Sequence, residues 1–420
     1  MPLTTRPFIP VRHRPWSGRP PKVLLYSHDT FGLGHLRRNL NIATHLLQRE
    51  DACSVMLLTG SSVAESWPMP EGLQVRAMPP VVKTGVEAYA SRDGVSDFAA
   101  VKARREAIIL DAVVRFRPDV FLVDHAPAGM KGELLPALAH IRREQPSTLA
   151  VLGLRDIIDS PESVCGLWRE QGIYALLDSA YDQVLVYGSR HLFDAVQAYE
   201  IPPAVAAKTR YCGYIARADR GGPAAPHLQL ARATPRPPVV LVTAGGGGDG
   251  YPLLSAYLQA LGRLPPDAAR SIVVTGPLMA DGERRALEAM AQPRPDVQMI
   301  ACTTDMAEMI GQADLVVAMA GYNTTAEILG ARKPAILVPR GAPRMEQRLR
   351  ARLLSELGLV WAIQPEEDLI ARLAALLGSA IDGGRPPCRD WNAIDLGGVH
   401  RVGSALDALL EPQGLREARA

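Results

Sequence analysis

The sequence predicts two α/β domains with doubly wound, Rossmann-like parallel sheets. Short apolar runs of strand length alternate with helical patterns, and a segment rich in Ala, Pro, Gly and Arg separates two sets of these alternations. The 420 residues also fit two hydrophobic cores better than one. Ligands of such sheets bind outside the carboxyl ends of the strands. A functional site is therefore expected in the turns that follow the strands.

Composition indicates a globular, cytoplasmic protein. Apolar residues make up 47% of the chain and charged residues 21%. No apolar run approaches the ~20 residues that span a bilayer, and the N-terminus lacks the apolar core of a signal peptide. The five cysteines lie far apart and form no CxxC pair, so we expect neither a zinc site nor a disulfide framework.

The start of the chain carries an excess of positive charge. Residues 1–22 contain five basic residues and no acidic one, although the net charge of the chain is only +2. One interpretation is a disordered, Pro-rich leader over residues 1–21. The other is an arm that associates weakly with anionic lipid at the inner face of the membrane. We expect no nucleic-acid partner.

The N-terminal domain is predicted over residues 22–215. Its first strand, residues 22–27, precedes a GLGH turn and a helix with apolar residues at helical spacing. His35 is thereby placed at the first turn of a helix, where free N–H groups and partial positive charge favour a phosphate or a developing anion. A lone histidine is more often a capping or solvated residue, but this context favours a functional one.

Two later strands of this domain end in polar side chains that can reach the same mouth, one in Asp124 and the other in Arg155 and Asp156. A carboxylate that accepts from one imidazole nitrogen raises the basicity of the other, so Asp124 can orient His35. It can equally cap the following helix, and both interpretations stay open. The predicted strands are 54–59, 73–78, 120–125, 148–156, 183–188 and 209–215, the helices 96–116, 131–144, 161–178 and 189–199, and a candidate mobile loop 80–95.

A linker is predicted over residues 216–237, a second domain over residues 238–395, and a C-terminal helix and tail over residues 396–420. Directly after the first strand of the second domain comes a run of glycines, whose backbone N–H groups can surround a phosphate. The run contains GxGxxG, but the next strand ends without the acid that holds a ribose in dehydrogenases, so a dehydrogenase is the weaker alternative. The glycines are Gly245, Gly246, Gly247 and Gly248, and the strands 238–244, 271–276, 297–302, 315–320, 334–338 and 360–363.

The stretch from Asp314 to Gln347 predicts a strand, turn and helix twice over. Glu327 fits either a ribose ligand or a capping box with Thr324, the residue predicted to open the first helix. Glu346 and Gln347 occupy the first turn of the second helix. The first turn also supplies Gly321, Tyr322 and Asn323.

Two further features of this domain carry weaker predictions. Met306 follows the third strand, where backbone N–H groups can contact the edge of a base. Arg344, Arg348 and Arg352 share one helical face, which favours a solvated surface over an anion site.

These motifs resemble the GT-B glycosyltransferases, in particular the branch that contains the N-acetylglucosaminyltransferase of the peptidoglycan lipid precursor. The resemblance rests on the two-domain layout, the GLGH loop, the glycine run and AGYNTTAEILGARKPAILVPR with the later EQ pair. It implies two Rossmann-like domains facing a central cleft, and an inverting transfer, without metal or other cofactor, from a nucleotide-sugar, commonly a UDP-sugar. The acceptor is an unidentified hydroxyl compound.

The resemblance also implies roles for individual residues. The glycine run contacts the diphosphate, Met306 the uracil through its backbone, Glu327 the ribose, and Glu346 with Gln347 the donor sugar. His35 lies near the acceptor hydroxyl and Arg217 near the nucleotide, while Gly321, Tyr322, Asn323 and Thr324 line the phosphate side.

Departures from the family pattern leave alternatives open. The phosphate loop has glycine where the family often has serine, and Glu346-Gln347 replaces the usual Gln-Gln or Asp-Gln pair. The GLGHLRR loop is also similar to the GxGHxxR loop of nucleotide-sugar hydrolases, in which water replaces the acceptor. A non-catalytic nucleotide-sugar-binding protein is the third interpretation.

Overall fold

A computed structural model describes residues 19–411 except 30–32, 50–51, 84–88, 93, 217–236, 342–343 and 388–390. The predicted leader (apart from residues 19–21), most of the linker, Gly32 and Arg217 lie outside these residues. Within them, no helix is both long and apolar enough to cross a membrane.

The N-terminal sheet has seven parallel strands in the order β3-β2-β1-β6-β7-β8-β9. They are β1 (Lys22–Tyr26), β2 (Ser54–Thr59), β3 (Gln74–Ala77), β6 (Val120–Asp124), β7 (Leu149–Arg155), β8 (Gln183–Tyr187) and β9 (Thr209–Tyr211). Strand order reverses between β1 and β6, where Val23 is in register with Val120. This reversal is the switch point at which such sheets bind ligands.

Helices of this domain are α1 (Gly34–Leu47), α2 (Phe98–Phe116), α3 (Leu135–Glu144), α4 (Pro161–Glu170), α5 (Ile173–Ala180), α6 (Ala195–Ala198) and α7 (Pro203–Ala207). The helix predicted over 161–178 is broken at Gly172, whose φ of 66° is left-handed. The helix predicted over 189–199 is wrong except for α6. The predicted loop 80–95 contains an antiparallel hairpin, β4 (Val81–Lys83) with β5 (Tyr89–Ser91).

The C-terminal sheet has six parallel strands in the order β12-β11-β10-β13-β14-β15. They are β10 (Val239–Thr243), β11 (Arg270–Val274), β12 (Val297–Ile300), β13 (Leu315–Ala318), β14 (Ala335–Leu337) and β15 (Trp361–Ala362), with helices α8 (Tyr251–Leu261), α9 (Asp281–Ala291), α10 (Met306–Gln312), α11 (Tyr322–Gly330), α12 (Glu346–Glu356) and α13 (Leu369–Ile381). Its switch point lies between β10 and β13. The predicted doubly wound class is thus confirmed for both halves.

Both faces of each central strand are buried. Along β10, Leu241 packs into the core on one face, while Val240 and Val242 pack into the core on the other. This two-sided burial explains why the strands appear in the sequence as continuous apolar runs rather than alternating ones.

A last helix, α14 (Gly398–Leu410), returns the chain to the N-terminal half and packs on α1. The return is held by backbone bonds in which Tyr214 N donates to Asp395 O at 2.8 Å and Gly398 N to Tyr214 O at 3.2 Å. Arg49 of α1 pairs with Asp407 of α14 at 2.9 Å. The two sheets therefore share one hydrophobic core as well as a polar cleft.

Candidate functional site

The carboxyl ends of the two sheets meet at their switch points. α1 follows β1 in one sheet, α11 follows β13 in the other, and the first turns of these two helices are in contact. Asn323 Nδ2 donates to the carbonyl oxygen of Gly34 at 2.8 Å, and Arg37 forms an ion pair with Glu327. These contacts bring the helix that carries His35 against the helix that carries Asn323 and Glu327, although Gly34 and Asn323 lie 289 positions apart.

His35 lies in the first turn of α1 and is held by Asp124 at the end of β6. Its Nδ1 is 2.6 Å from Asp124 Oδ2, and Arg38 donates to both carboxylate oxygens at 2.9 Å. Burial alone would raise the pKa of Asp124, but Arg38 and His35 lower it to about 2. Because an ionised carboxylate can only accept, the proton lies on Nδ1 of His35 and Nε2 carries the lone pair.

Burial lowers the pKa of His35, and the nearby Asp124 only partly offsets this effect. The imidazole is therefore neutral at pH 7 and can accept a proton at Nε2. Between the two roles that the sequence left open for Asp124, the geometry favours orienting His35 over capping a helix, because both carboxylate oxygens point to α1.

Two other histidines surround this group. The ring centroid of His35 lies 5.6 Å from that of His28 and 5.4 Å from that of His125. His125 has a φ of 70°, an unusual left-handed conformation for a non-glycine residue, and Arg155 lies 3.1 Å from its Nε2. His28 was not predicted, although its position directly after β1 was a usable signal. Among the described residues, no three acidic, histidine or cysteine side chains are arranged to hold a metal ion.

The glycine run forms a tight loop between β10 and α8. Gly247 has a φ of 90°, and a Cβ there would lie 2.2 Å from the carbonyl oxygen of Thr275. Gly245 has a φ of 66° but faces open space. The N–H groups of Gly245 and Gly247 bond within the loop, to Thr243 Oγ1 at 3.2 Å and Ala244 O at 3.4 Å. The predicted phosphate contacts are therefore better suited to Gly246 and Gly248, which lie in the loop before α8.

Two alanine substitutions in this loop have different expected outcomes. We expect Gly247→Ala to destabilise the protein and distort the loop, because both its backbone conformation and the contact with Thr275 exclude a Cβ. Gly245→Ala should lower the free energy of unfolding by only about 1–2 kcal/mol, because only the backbone conformation opposes it. Urea denaturation measures the difference, and equal losses in the two variants would contradict the assigned packing.

The start of α11 differs from the prediction. The helix begins at Tyr322 with Gly321 at its N-cap, two residues before Thr324, and no side chain caps it. The capping box of Thr324 and Glu327 is therefore wrong. The side chain of Tyr322 points into the interdomain core rather than along a phosphate: it stacks on Tyr214, with ring centroids 5.5 Å apart, and its hydroxyl accepts from Ile215 N at 2.9 Å.

Glu327 is almost completely buried, with a side-chain exposure of 5%. Its Oε1 accepts from Arg37 of the opposite domain, whereas Oε2 is buried and has no hydrogen-bond partner among the residues that the structure describes. A buried carboxylate oxygen without a donor is costly, so this position is suited to a ligand that brings hydroxyl groups.

Glu346 and Gln347 begin α12, as predicted. Glu346 pairs with Arg155 of the opposite domain at 2.8 Å and with Arg340 at 3.3 Å. Burial alone would raise the pKa of Glu346, but the surrounding arginines, Arg155 first among them, lower it. Gln347 Oε1 accepts from Arg340 N at 3.2 Å and so fixes the loop before the helix.

Arginines in α12, and Arg344 just before it, play roles that sequence spacing did not show. Arg348 and Arg352 pair with acidic residues at the surface, which agrees with the predicted solvated surface rather than with an anion site. Arg344 instead faces Asp159 of the other domain at 3.9 Å. Arg350, which was not predicted, is completely buried and donates to both oxygens of Asp156 at 2.7 and 3.0 Å.

Met306 begins α10, and its side chain is buried in the core.

Comparison with known proteins fits this geometry. Residues 241–382 match the glycosyltransferase family 28 C-terminal domain. The chain is 34% identical over 214 residues, covering 48% of this chain and 54% of the relative, to a UDP-N-acetylglucosamine–N-acetylmuramyl-(pentapeptide) pyrophosphoryl-undecaprenol N-acetylglucosamine transferase of Granulibacter bethesdensis. The protein of that name from Methylobacterium nodulans is 31% identical, with 47% of this chain and 57% of the relative covered. The chain thus spans just over half the length of these relatives.

Solved structures share the fold at low sequence identity. MurG of Acinetobacter baumannii is 16% identical with a TM-score of 0.50, covering 90% of this chain and 94% of its own. TcCGT1, solved in complex with UDP, is 14% identical with a TM-score of 0.60, covering 94% of this chain and 96% of its own. The chain therefore has the GT-B fold, and its second half carries the match to the glycosyltransferase family 28 C-terminal domain.

Proposed function

We propose that this protein is an inverting glycosyltransferase that moves a sugar from a UDP-sugar to an acceptor hydroxyl without a metal ion. One observation carries the proposal. A neutral histidine, oriented by a buried carboxylate, lies in the first turn of α1, and this turn contacts α11, the helix that carries the partly unsatisfied Glu327. A base and a nucleotide-diphosphate site are thus presented to the same cleft.

His35 acts as the general base. Its Nε2 takes the proton from the acceptor hydroxyl as that oxygen forms a bond to the anomeric carbon of the donor. The bond from the anomeric carbon to the diphosphate breaks, and its electron pair leaves on the diphosphate. Attack from the face opposite the leaving group inverts the configuration of the sugar. Asp124 keeps Nδ1 protonated throughout and stabilises the imidazolium that forms.

The C-terminal sheet holds the donor. Backbone N–H groups of the glycine loop and the amino ends of α8 and α11 face the diphosphate, where they stabilise the charge that develops on the leaving group. Glu327 accepts from the two ribose hydroxyls, which satisfies its buried Oε2. Glu346 accepts from hydroxyls of the sugar. Because fixed dipoles and arginines supply the positive charge, a metal ion is not required by this scheme.

Ligand-induced stabilisation tests the donor class. The protein is heated with UDP, TDP, GDP or NAD, and a ligand that binds only the folded state raises the melting temperature. We expect stabilisation by UDP above the others. Selective stabilisation by NAD, or by none of these ligands, would contradict the proposal.

A second assay separates transfer from hydrolysis. The protein is incubated with UDP-N-acetylglucosamine and UDP-glucose, with and without a set of hydroxyl acceptors, and both free sugar and new glycoside are measured. Transfer predicts release of UDP that depends on the acceptor and is unaffected by a chelator. Free sugar at the full rate from donor alone would instead identify a nucleotide-sugar hydrolase with His35 activating water.

A further inference from the structure

One oxygen of the Glu327 carboxylate is already bound by an arginine of the N-terminal domain. Arg37, two residues after His35 in the first turn of α1, reaches across the cleft to Oε1 of this carboxylate. A carboxylate that holds a ribose diol uses both of its oxygens. A ribose bound in the way proposed above would therefore compete with Arg37 for Oε1.

The second carboxylate assigned to the donor repeats this arrangement. Glu346 is paired at 2.8 Å with Arg155, which like Arg37 belongs to the N-terminal sheet domain. Both donor carboxylates are therefore neutralised by arginines of the opposite domain. Two independent pairs of the same kind therefore link the donor carboxylates to the N-terminal domain.

The diphosphate of a nucleotide-sugar brings negative charge to this cleft. In the glycine loop it meets backbone N–H groups, which carry only partial charges. Arg37 lies at the contact between α1 and α11, whose amino ends face the same space, and its side chain retains 21% exposure, which leaves room to move. A guanidinium binds phosphate oxygens in a bidentate manner.

We propose that Arg37 is a diphosphate-binding residue that Glu327 holds in place until the donor arrives. The ribose diol takes over Glu327, and the released guanidinium turns to the diphosphate. This exchange rests on the proposed nucleotide-sugar site. It goes beyond that site because it assigns an arginine of the N-terminal domain to the donor, and because Glu327 and Arg37 each change partner when the donor binds.

The exchange predicts different responses to a nucleoside and to its diphosphate. Uridine competes with Arg37 for Glu327 and gives the guanidinium no new partner. UDP also competes with Arg37, but its diphosphate can bind the released guanidinium. Removing Arg37 therefore leaves uridine binding unchanged or tighter and weakens UDP binding. A merely structural role of Arg37 would change both affinities by the same factor.

The test compares wild-type protein with Arg37→Ala, using calorimetry for UDP and ligand-observed NMR for uridine. We expect the ratio of UDP affinity to uridine affinity to fall about tenfold or more in Arg37→Ala. The matched control is Arg49→Ala on the same helix, which breaks the ion pair between α1 and α14 and should keep the wild-type ratio. Arg37→Lys retains a positive charge and should restore part of the ratio, which also separates a binding effect from misfolding.

Two results overturn the inference. If the ratio in Arg37→Ala and Arg37→Lys equals that of the wild type, Arg37 does not bind the diphosphate, although the proposed function stands. If wild-type protein binds neither UDP nor uridine, the proposed function fails and the exchange fails with it.

Discussion

We expect His35→Ala to lower the rate of sugar transfer by about 10²–10⁴-fold, the usual contribution of a positioned general base. In the proposed mechanism the imidazole accepts the proton of the acceptor hydroxyl, and a methyl group cannot replace it. The matched control is His45→Ala, which removes a histidine from the same helix at a site where its ring faces His400 with centroids 4.7 Å apart. Initial rates with saturating donor measure both variants. Near-normal turnover in His35→Ala would remove His35 from the mechanism.

The dependence of wild-type kcat/KM on pH checks the protonation state of His35. Catalysis requires the neutral imidazole, and burial lowers the pKa of His35 in the folded protein. Activity is therefore present at neutral pH and is lost as pH falls through the lowered pKa, so the acidic limb should lie below the ordinary histidine value of about 6.5. A limb above that value would contradict the buried, neutral histidine.

Arg350→Ala has the largest expected effect on stability. The guanidinium is completely buried, and it donates to Asp156 and, at 2.8 Å, to the carbonyl oxygen of Ala320. The Asp156 carboxylate is buried, with 2% side-chain exposure. Without Arg350, its one remaining partner among the described residues is the hydroxyl of Tyr214. Removing one member of a buried ion pair costs about 3–5 kcal/mol. We expect a loss of that size in the free energy of unfolding, measured by urea denaturation.

The same helix provides the control for this prediction. Arg352 is 59% exposed and pairs with Glu356 at 3.7 Å, so Arg352→Ala should change the free energy of unfolding by about 0.5 kcal/mol or less. Arg350→Met fills the space of the arginine but still leaves the Asp156 carboxylate unpaired, so we expect it to lose stability as well. Replacing Asp156 by an apolar residue in the same variant should recover part of the loss. Equal effects of Arg350→Ala and Arg352→Ala would show that the Asp156 pair does not hold the two domains together.

The fold was largely predictable because its strands are buried on both faces. Such strands appear as short apolar runs, and each predicted run overlaps a strand that is at most four residues shorter. The helix over 189–199 was mispredicted because apolar spacing there reflects a buried turn: Leu192 and Tyr199 are in the core, yet only four residues are helical. Helix 161–178 failed at Gly172, where the backbone is left-handed.

The sequence predicted site residues only where a local sequence pattern marks them. The GLGH turn and the glycine run mark strand-to-helix turns, and the topology places both at switch points. The start of α11 could not be read correctly, because a capping box is a local pattern and the helix begins two residues earlier, at Tyr322. The pairs of Arg37 with Glu327 and Arg350 with Asp156 join residues 290 and 194 positions apart, and no local signal identifies such partners.

Protection of backbone N–H groups from hydrogen exchange tests the central claim, that a nucleotide diphosphate binds between the two switch points. Exchange is followed by mass spectrometry in wild-type protein with and without saturating UDP. The account predicts slower exchange in the peptides that cover residues 244–250 and 320–327, and unchanged exchange in α9 (Asp281–Ala291), which the proposed donor contacts do not involve. UDP binding that leaves both of the first two peptides unchanged would contradict it.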